Sequence, residues 1–485
     1  MNRPDTPADR PDFLSLLADR LRDGGGPSFE VFSPADGRRV AAVPDATPAD
    51  ARRAADAAVQ AYARWSRTGA HQRARLLQAW FGEIMAHREE IARVISAEMG
   101  KPVSEARGEV DYAAAYIELY AEEAKRIRGE AFSGPDARKR LYATPRPVGP
   151  VYAITPWNFP AAMITRKAAP ALAAGCTAIV KPAPQSPLTA LFLSWLWERA
   201  GGPAGTLQTL PTLDAAGVSQ VMFDDPRIRK LTFTGSTEVG RSLYRQAAGT
   251  LKRVSLELGG HAPFLVFDDA DLDDAVEQVM LSKFRNAGQT CVCTNRIYVQ
   301  RAILPAFVAA LARRVEALRM GDPADERTEV GPLVDARGLD KVAGQVRDAL
   351  DKGATLVTGG RAAEGLFFRP TVLAGVAPGM RILEEETFGP VAPILAFDTE
   401  EEAVAQANDT PFGLAAYLYT RDLARAHRVS EALEYGIVGV NDGAPSTAWA
   451  PFGGVKDSGL GREGGHWGLE EYLDLKYVSV GLPAA

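Results

Sequence analysis

A cysteine on a glycine-bearing turn, a glutamate at the end of an apolar run and an asparagine between two prolines are the residues best suited to covalent chemistry. Cys291 lies in Gly288-Gln289-Thr290-Cys291-Val292-Cys293, which the flanking patterns place between a helix over 272–285 and a strand. Such a turn can expose sulfur beside free backbone N–H groups, whose dipoles favour the nucleophilic thiolate. Most loop cysteines are inert, so the turn alone does not decide. Glu257 closes the strand-like run in Ser255-Leu256-Glu257-Leu258-Gly259-Gly260. At the carboxyl end of a parallel strand it would face the ligand crevice, where an apolar setting raises a carboxyl towards a general base. A glutamate facing solvent fits the same letters. In Thr155-Pro156-Trp157-Asn158-Phe159-Pro160 the Asn158 amide could meet an oxyanion, or could cap its own backbone.

Two glycine motifs accompany these residues. Phe233-Thr234-Gly235-Ser236-Thr237-Glu238-Val239-Gly240 follows a strand and opens a helix, whose free N–H groups can bind phosphate. Its spacing is G-x-T-x-x-G, a weaker signal than the dinucleotide fingerprint G-x-G-x-x-G. Pro451–Gly459 is glycine-rich near the carboxyl end and is compatible with ordinary turning.

The elements that must position them follow from the pattern. The first 130 residues read as helices: one opening at Thr47-Pro48-Ala49-Asp50, one over 72–99 and one over about 104–127. From Leu141 onward short apolar runs (151–154, 177–180, 230–233, 254–256, 264–267) alternate with helical stretches. That alternation predicts parallel, doubly wound sheets with helices on both faces. It resumes after Cys293, with a strand at 297–299, helices over 304–319 and 339–352, and a strand at 355–357. The result is an α/β protein of two lobes with a junction near 258–260.

Composition narrows the class. A formal charge of −6 offers no basic field for nucleic acid or anionic membrane. Three cysteines in 485 residues cannot form a secreted disulfide framework, which favours a reducing, cytoplasmic setting. Residues 1–20 do not read as a signal peptide. The uncharged stretch 147–165 is rejected as a membrane span because four prolines would break its helix. Five histidines without metal-ligand spacing give no metal site, and His261 reads as a pocket-edge or structural residue.

Taken together and in this order, the motifs resemble the aldehyde dehydrogenase superfamily, over nearly the whole chain from about Arg52 to Leu482. The segments Met163–Thr177 and Ser282–Cys293 resemble its succinate-semialdehyde dehydrogenase branch. The resemblance implies that Cys291 attacks the aldehyde, that Asn158 and the Cys291 amide hold the oxyanion, and that Glu257 activates the hydrolytic water. It places Thr155, Trp157, Lys181, Gly235, Ser236, Glu386 and Phe388 around NAD or NADP. Proline at 184, where NAD-preferring members often carry glutamate, tilts the expectation to NADP. It implies a small aldehyde bearing an ω-carboxylate, held by Arg166, Arg285 and Ser446; structural ion pairs are the competing reading for both arginines.

The resemblance further divides the chain into a dinucleotide-binding lobe (1–127 and 145–258), a catalytic lobe (259–450) and oligomerisation segments (128–144 and 470–485). These segments would form a small projecting sheet that builds a homodimer or homotetramer. Cys293 is either a redox partner of Cys291 or a passive thiol. Glutarate semialdehyde is the near alternative substrate, a CoA-acylating relative would not need Glu257, and a non-catalytic scaffold would be expected to lack Cys291, Glu257 or Asn158. Two departures stand out: Thr209–Asp214 has no glycine where the family usually turns, and Asn441–Ser446 is unusual near Ser446.

Overall fold

The computed structural model describes Phe13, Ser15 and residues 26–483; apart from those two residues, the signal-peptide reading lies outside the described residues. The helix Pro48–Trp65 begins as its letters predict. The Asp50 amide donates to Thr47 Oγ1, and Asp50 accepts from the Thr47 amide at 2.8 Å, a reciprocal cap with proline at the first helical position.

Two expectations for the amino-terminal part need correction. Ser28–Phe32 and Arg39–Pro44 form an antiparallel hairpin ahead of the helices, with Phe29 and Val31 buried on one face. The helix expected over 72–99 is two, Ala70–Ala86 and Arg88–Met99, parted at His87, whose φ of −109° leaves the helical range. The next helix, Val103–Glu123, continues as one turn of 3-10 helix through Arg126.

Two large sheets follow. The first has the order Gly459–Leu460, Arg253–Glu257, Lys230–Thr234, Val151–Ile154, Ala178–Lys181, Leu207–Thr209 and is parallel except at Gly459–Leu460. The second runs Thr355–Thr358, Thr371–Ala374, Val391–Phe397, Thr294–Gln300, Ala262–Val266, Ala415–Tyr419, Ile437–Val440, with only the first of these antiparallel. Val151–Ile154, Ala178–Lys181 and Lys230–Thr234 are buried throughout, because helices cover both faces. The order of the first sheet reverses between Val151–Ile154 and Lys230–Thr234. The loops that leave those strands, at Thr155 and Gly235, therefore flank a crevice of the kind where α/β sheets take ligands.

A third sheet is small and antiparallel: Leu473–Gly481, Lys139–Pro147 and Glu130–Phe132. It exposes Phe132, Leu475 and Tyr477. The uncharged stretch 147–165 is a strand, a loop and the start of the helix Ala162–Ala174. No helix among the described residues is long and apolar enough to cross a membrane.

Arg296 fastens the second lobe beneath the junction. Only 2% exposed, it donates to the carbonyls of His261 (3.1 and 2.9 Å), Gln406 (3.1 Å) and Ala407 (2.9 Å). It thus ties the start of the strand Ala262–Val266 to the helix Glu400–Asn408. Removing it strands these buried acceptors, so Arg296→Met should cost about 3 kcal/mol and lower Tm clearly. Arg301→Ala, which breaks an exposed pair with Asp398 at 2.7 Å, should leave Tm unchanged. Equal Tm values for the two variants would refute the fastening role.

Candidate active site

The helix Leu272–Phe284 ends in a turn whose backbone is strained. Asn286, Ala287 and Gly288 have φ of 52°, 53° and 74°. At Gly288 a Cβ would lie 2.2 Å from the Gly389 carbonyl, so glycine is required there. The Asn286 amide donates to Glu105 at 2.7 Å, and its side-chain nitrogen donates to the carbonyls of Asn158 (3.2 Å) and Gln289 (3.1 Å). These bonds hold the turn so that Cys291 emerges between the lobes.

Cys291 lies on the walls of two cavities. One, of about 360 Å³, is lined by Tyr112, Phe159, Met163, Arg166, Arg285 and Ser446 among others. The other, of about 420 Å³, is lined by Trp157, Asn158, Gly235, Ser236, Glu386 and Phe388 among others. Burial pushes the Cys291 thiol up to about 12; Arg166 opposes the rise and Glu257 adds to it. Asn158 is buried beside the sulfur, with its Nδ2 donating to the Gln289 carbonyl at 3.0 Å. A carboxamide has a second N–H to offer. Lys101, paired with Glu109, donates to the Asn158 carbonyl at 2.9 Å and steadies that loop.

The second cavity has the features a dinucleotide needs. Ser236 caps the helix Thr237–Ala248, accepting from the Val239 amide at 3.4 Å, and the first N–H groups of that helix open beside Gly235. A Cβ at Gly235 would meet the Phe233 ring at 2.5 Å. Glu386 accepts from the Gly260 amide at 3.1 Å, and burial pushes its carboxyl up to about 7. Phe388 stands edge-on to Trp157, with ring centroids 5.6 Å apart.

Thr155 and Lys181 are placed less directly. They end neighbouring strands and are joined by a backbone bond of 3.1 Å, but neither forms the cavity wall. Lys181 donates to the Pro182 carbonyl at 3.0 Å, and burial draws its ammonium down to about 8. The glycine-free stretch at 209–214 is pinned instead by Thr212, which donates to the Ala46 carbonyl at 2.7 Å and accepts from the Asp214 amide at 3.0 Å.

On the other side of Cys291 the arginines differ. Arg285 stacks over Phe159 at 5.4 Å and has no ion pair among the described residues. Arg166, 1% exposed, makes the structural ion pair and keeps one edge unpaired. Its Nε pairs with Glu463, while its Nη2 is buried without a partner. Ser446 Oγ likewise lacks a partner.

Glu257 does not face solvent, nor does it line either cavity. It is 3% exposed, and its Oε2 has no hydrogen-bond partner. Burial, then the nearby Glu463 carboxylate, holds its carboxyl well above the usual range. The glycine-rich loop covers it: a Cβ at Gly453 would lie 2.9 Å from Glu257 Oε1. Glu463 and Lys167 are the site residues that sequence reasoning missed. Lys167 pairs with Glu463 and donates to Thr234 Oγ1 at 2.7 Å. The setting of Glu463, beside Gly464-Gly465 as Glu257 is beside Gly259-Gly260, was the available signal.

Cys293 is fully buried, with its sulfur 3.3 Å from the Lys283 ammonium; all three cysteines are free. Pairing with Cys291 requires that sulfur to leave these contacts. His261 bonds the Leu383 carbonyl at 2.9 Å, and no group of metal-ligating residues occurs among the described residues.

A two-lobed α/β fold with one thiol shared by two cavities, one opening on a helix N-terminus and the other lined by Arg166 and Arg285, defines a class of enzyme that works by covalent thiol catalysis. Residues 21–478 match the profile of the aldehyde dehydrogenase family. The chain is 52% identical over 464 residues to an NADP(+) succinate-semialdehyde dehydrogenase of Escherichia coli, covering 95% of this chain and 96% of that one. It is 50% identical over 455 residues to a glutarate-semialdehyde dehydrogenase of Pseudomonas putida, covering 94% and 95%. The crystal structure of an E. coli NADP-dependent enzyme superimposes with a TM-score of 0.93 at 52% identity, covering 94% of this chain and 95% of that one. The chain belongs to the aldehyde dehydrogenase family, whose members oxidise aldehydes with NAD or NADP.

With its pKa so high, the resting Cys291 thiol is protonated at neutral pH. Labelling by iodoacetamide should therefore accelerate about tenfold per unit between pH 7 and 10, following the thiolate fraction. A plateau below pH 8 would show that the unliganded site already holds thiolate.

Proposed function

We propose that the protein oxidises succinate semialdehyde to succinate, with NADP as the preferred hydride acceptor. The observation that carries this reading is a single sulfur on both cavity walls, with the guanidiniums of Arg166 and Arg285 lining the cavity away from the Gly235 helix start. An ω-carboxylate suits the free Nη2 edge of Arg166, the unpaired Arg285 and the Ser446 hydroxyl in charge and in hydrogen-bond geometry.

The steps follow from the residues. Cys291 gives up its thiol proton to solvent in the cavity as its sulfur adds to the aldehyde carbon, and the oxyanion so formed accepts N–H bonds from Asn158 and the Cys291 backbone. A nicotinamide bound in the second cavity supplies the hydride acceptor. Collapse of the adduct leaves a thioester on Cys291. Water then gives its proton to Glu257 while its oxygen attacks the thioester carbon, the C–S bond breaks and succinate leaves. From behind the cavity walls Glu257 reaches that water by side-chain rotation or through one further water.

Around the cofactor, Gly235, Ser236 and the helix start suit the pyrophosphate, with Lys181 and Thr155 towards the adenosine end. Glu386, Phe388 and Trp157 suit the nicotinamide riboside. Pro184 supports NADP because it puts no carboxylate where a 2′-phosphate would be repelled, and the E. coli relative is named for NADP(+). The exposed Phe132, Leu475 and Tyr477 suit pairing of the small sheet with a second copy, as a homodimer or homotetramer. Glutarate semialdehyde is the second reading, since the same anchors in a cavity of about 360 Å³ admit a longer chain and the P. putida relative is named for it.

Across straight-chain aldehydes with and without an ω-carboxylate, the four-carbon semialdehyde should give the highest kcat/KM. Arg285→Ala should remove at least tenfold of that preference. Equal turnover of propanal would sink the carboxylate assignment, and a five-carbon optimum would select glutarate semialdehyde. Glu257→Gln should keep a first burst of reduced cofactor yet slow steady turnover by at least 100-fold; an unchanged steady rate would exclude Glu257 as the base.

A further inference from the structure

Arg166 touches both the substrate cavity and the surroundings of the base. Its Nε is paired with Glu463, and its Nη2 edge, buried and unpartnered, belongs to a residue of the cavity wall. Glu463 gives its other oxygen to Lys167, which also holds Thr234 Oγ1 at 2.7 Å. Glu463 exchanges backbone hydrogen bonds with Phe452 (2.6 and 2.8 Å), and the adjoining Gly453 packs on Glu257, where a Cβ would lie 2.9 Å from Oε1. The charged groups acting on Glu257 from this side are therefore Glu463, Arg166, Lys167 and Arg462. Arg166 and Lys167 come from the helix Ala162–Ala174, and Glu463 and Arg462 from the loop that precedes the helix Gly465–Glu470. Arg462 is committed to the carbonyls of Gly454 (2.9 Å) and Gly461 (2.7 Å). The tyrosines around the pair, Tyr112, Tyr116, Tyr120 and Tyr472, are held protonated by burial. Cys291, whose thiol Glu257 helps to raise, and Glu386 line the cavities.

We propose that Arg166 is a positioning residue for thioester hydrolysis as well as a ligand of the substrate. When a distal carboxylate occupies its free edge, guanidinium charge is drawn from Glu463, and Glu257 then takes the proton of water more strongly. This rests on the reading that Arg166 receives the substrate carboxylate. The acyl chain stays tethered to Cys291 until the C–S bond breaks, so the carboxylate remains on Arg166 throughout that step. One water is consumed: its proton goes to Glu257, its hydroxyl to the acyl carbon, and the sulfur leaves as thiolate. Acyl groups that end in a carboxylate thus switch on their own removal, and neutral acyl groups of equal length do not.

The sign follows from the added negative charge. A carboxylate near the pair lifts the Glu257 carboxyl further, moving the acidic limb of hydrolysis up by about one pH unit. A stronger base also raises the alkaline plateau, by about threefold. The test follows acyl-Cys291 by intact-protein mass spectrometry after a single turnover of the cofactor-loaded enzyme, from pH 5 to 9, with succinate semialdehyde and with butanal. The two limbs should lie about one unit apart in the native enzyme and coincide in Arg166→Gln. Glu463→Gln, which breaks the same link from its other end, should also make them coincide.

Coincident limbs in the native enzyme would overturn the coupling. So would a separation that persists in either variant, since the carboxylate would then act on Glu257 directly. Steady-state KM separates the two readings. If succinate semialdehyde binds no better than butanal, the substrate assignment itself fails. If it binds better while the native limbs coincide, only the coupling fails.

Discussion

Three consecutive residues with positive φ, Asn286, Ala287 and Gly288, hold the sulfur of Cys291 where two cavities meet. Only the last is glycine, and a non-glycine residue in that region costs on the order of 1–3 kcal/mol. The turn persists because its surroundings leave it no alternative. Glu105 takes the Asn286 amide, the Asn158 and Gln289 carbonyls take its side chain, and the Gly389 carbonyl crowds Gly288. Glu105, Asn158 and Gly389 come from three different segments, so the turn is held only once those segments are assembled around it. Gly260 belongs to the same constraint, since a Cβ there would lie 2.6 Å from the Cys291 carbonyl.

On and around the wall of the first cavity the protein keeps a high density of buried charge. Lys101 with Glu109, and Arg166 and Lys167 with Glu463, lie almost wholly out of water. Ion pairs of this kind add little net stability, because desolvation offsets most of their attraction. Their effect is on geometry and on protons. Lys101 and Glu109 fix the Asn158 loop from both sides, since the Ala161 amide donates to Glu109 at 2.8 Å. The Glu463 group keeps Glu257 dry and short of partners, and a carboxylate so placed binds a proton more readily than one in water.

Much of this could be read from the letters, and what could not has physical reasons. Cys291, Asn158 and Gly235 stand in short segments whose residue types and turn chemistry made them candidates, Glu386 came only with the family resemblance, and the alternation of runs announced the sheets. The hairpin at 28–44 was missed because five-residue strands ahead of long helices leave little periodicity to count. The break at His87 was missed because no glycine or proline marks it. Lys167 sits beside Arg166 on a helix, and two adjacent cations ordinarily mean a solvated face. Burial on all sides of that helix comes from packing against Val103–Glu123 and the carboxyl-terminal loop, which no local pattern encodes. For the same reason Glu257 could be placed at a strand end but not behind the cavity walls.

The antiparallel strand Gly459–Leu460 completes the edge of the first sheet against Leu256 and Glu257. Most of that sheet is specified two hundred residues earlier in the chain. The parallel strands of that sheet and the thiol are therefore laid down by the ribosome well before the enclosure of the base exists. Until residues 452–463 are synthesised and laid across Glu257, its carboxylate is open to water. Chain order thus makes the enclosure of Glu257 one of the last features to form.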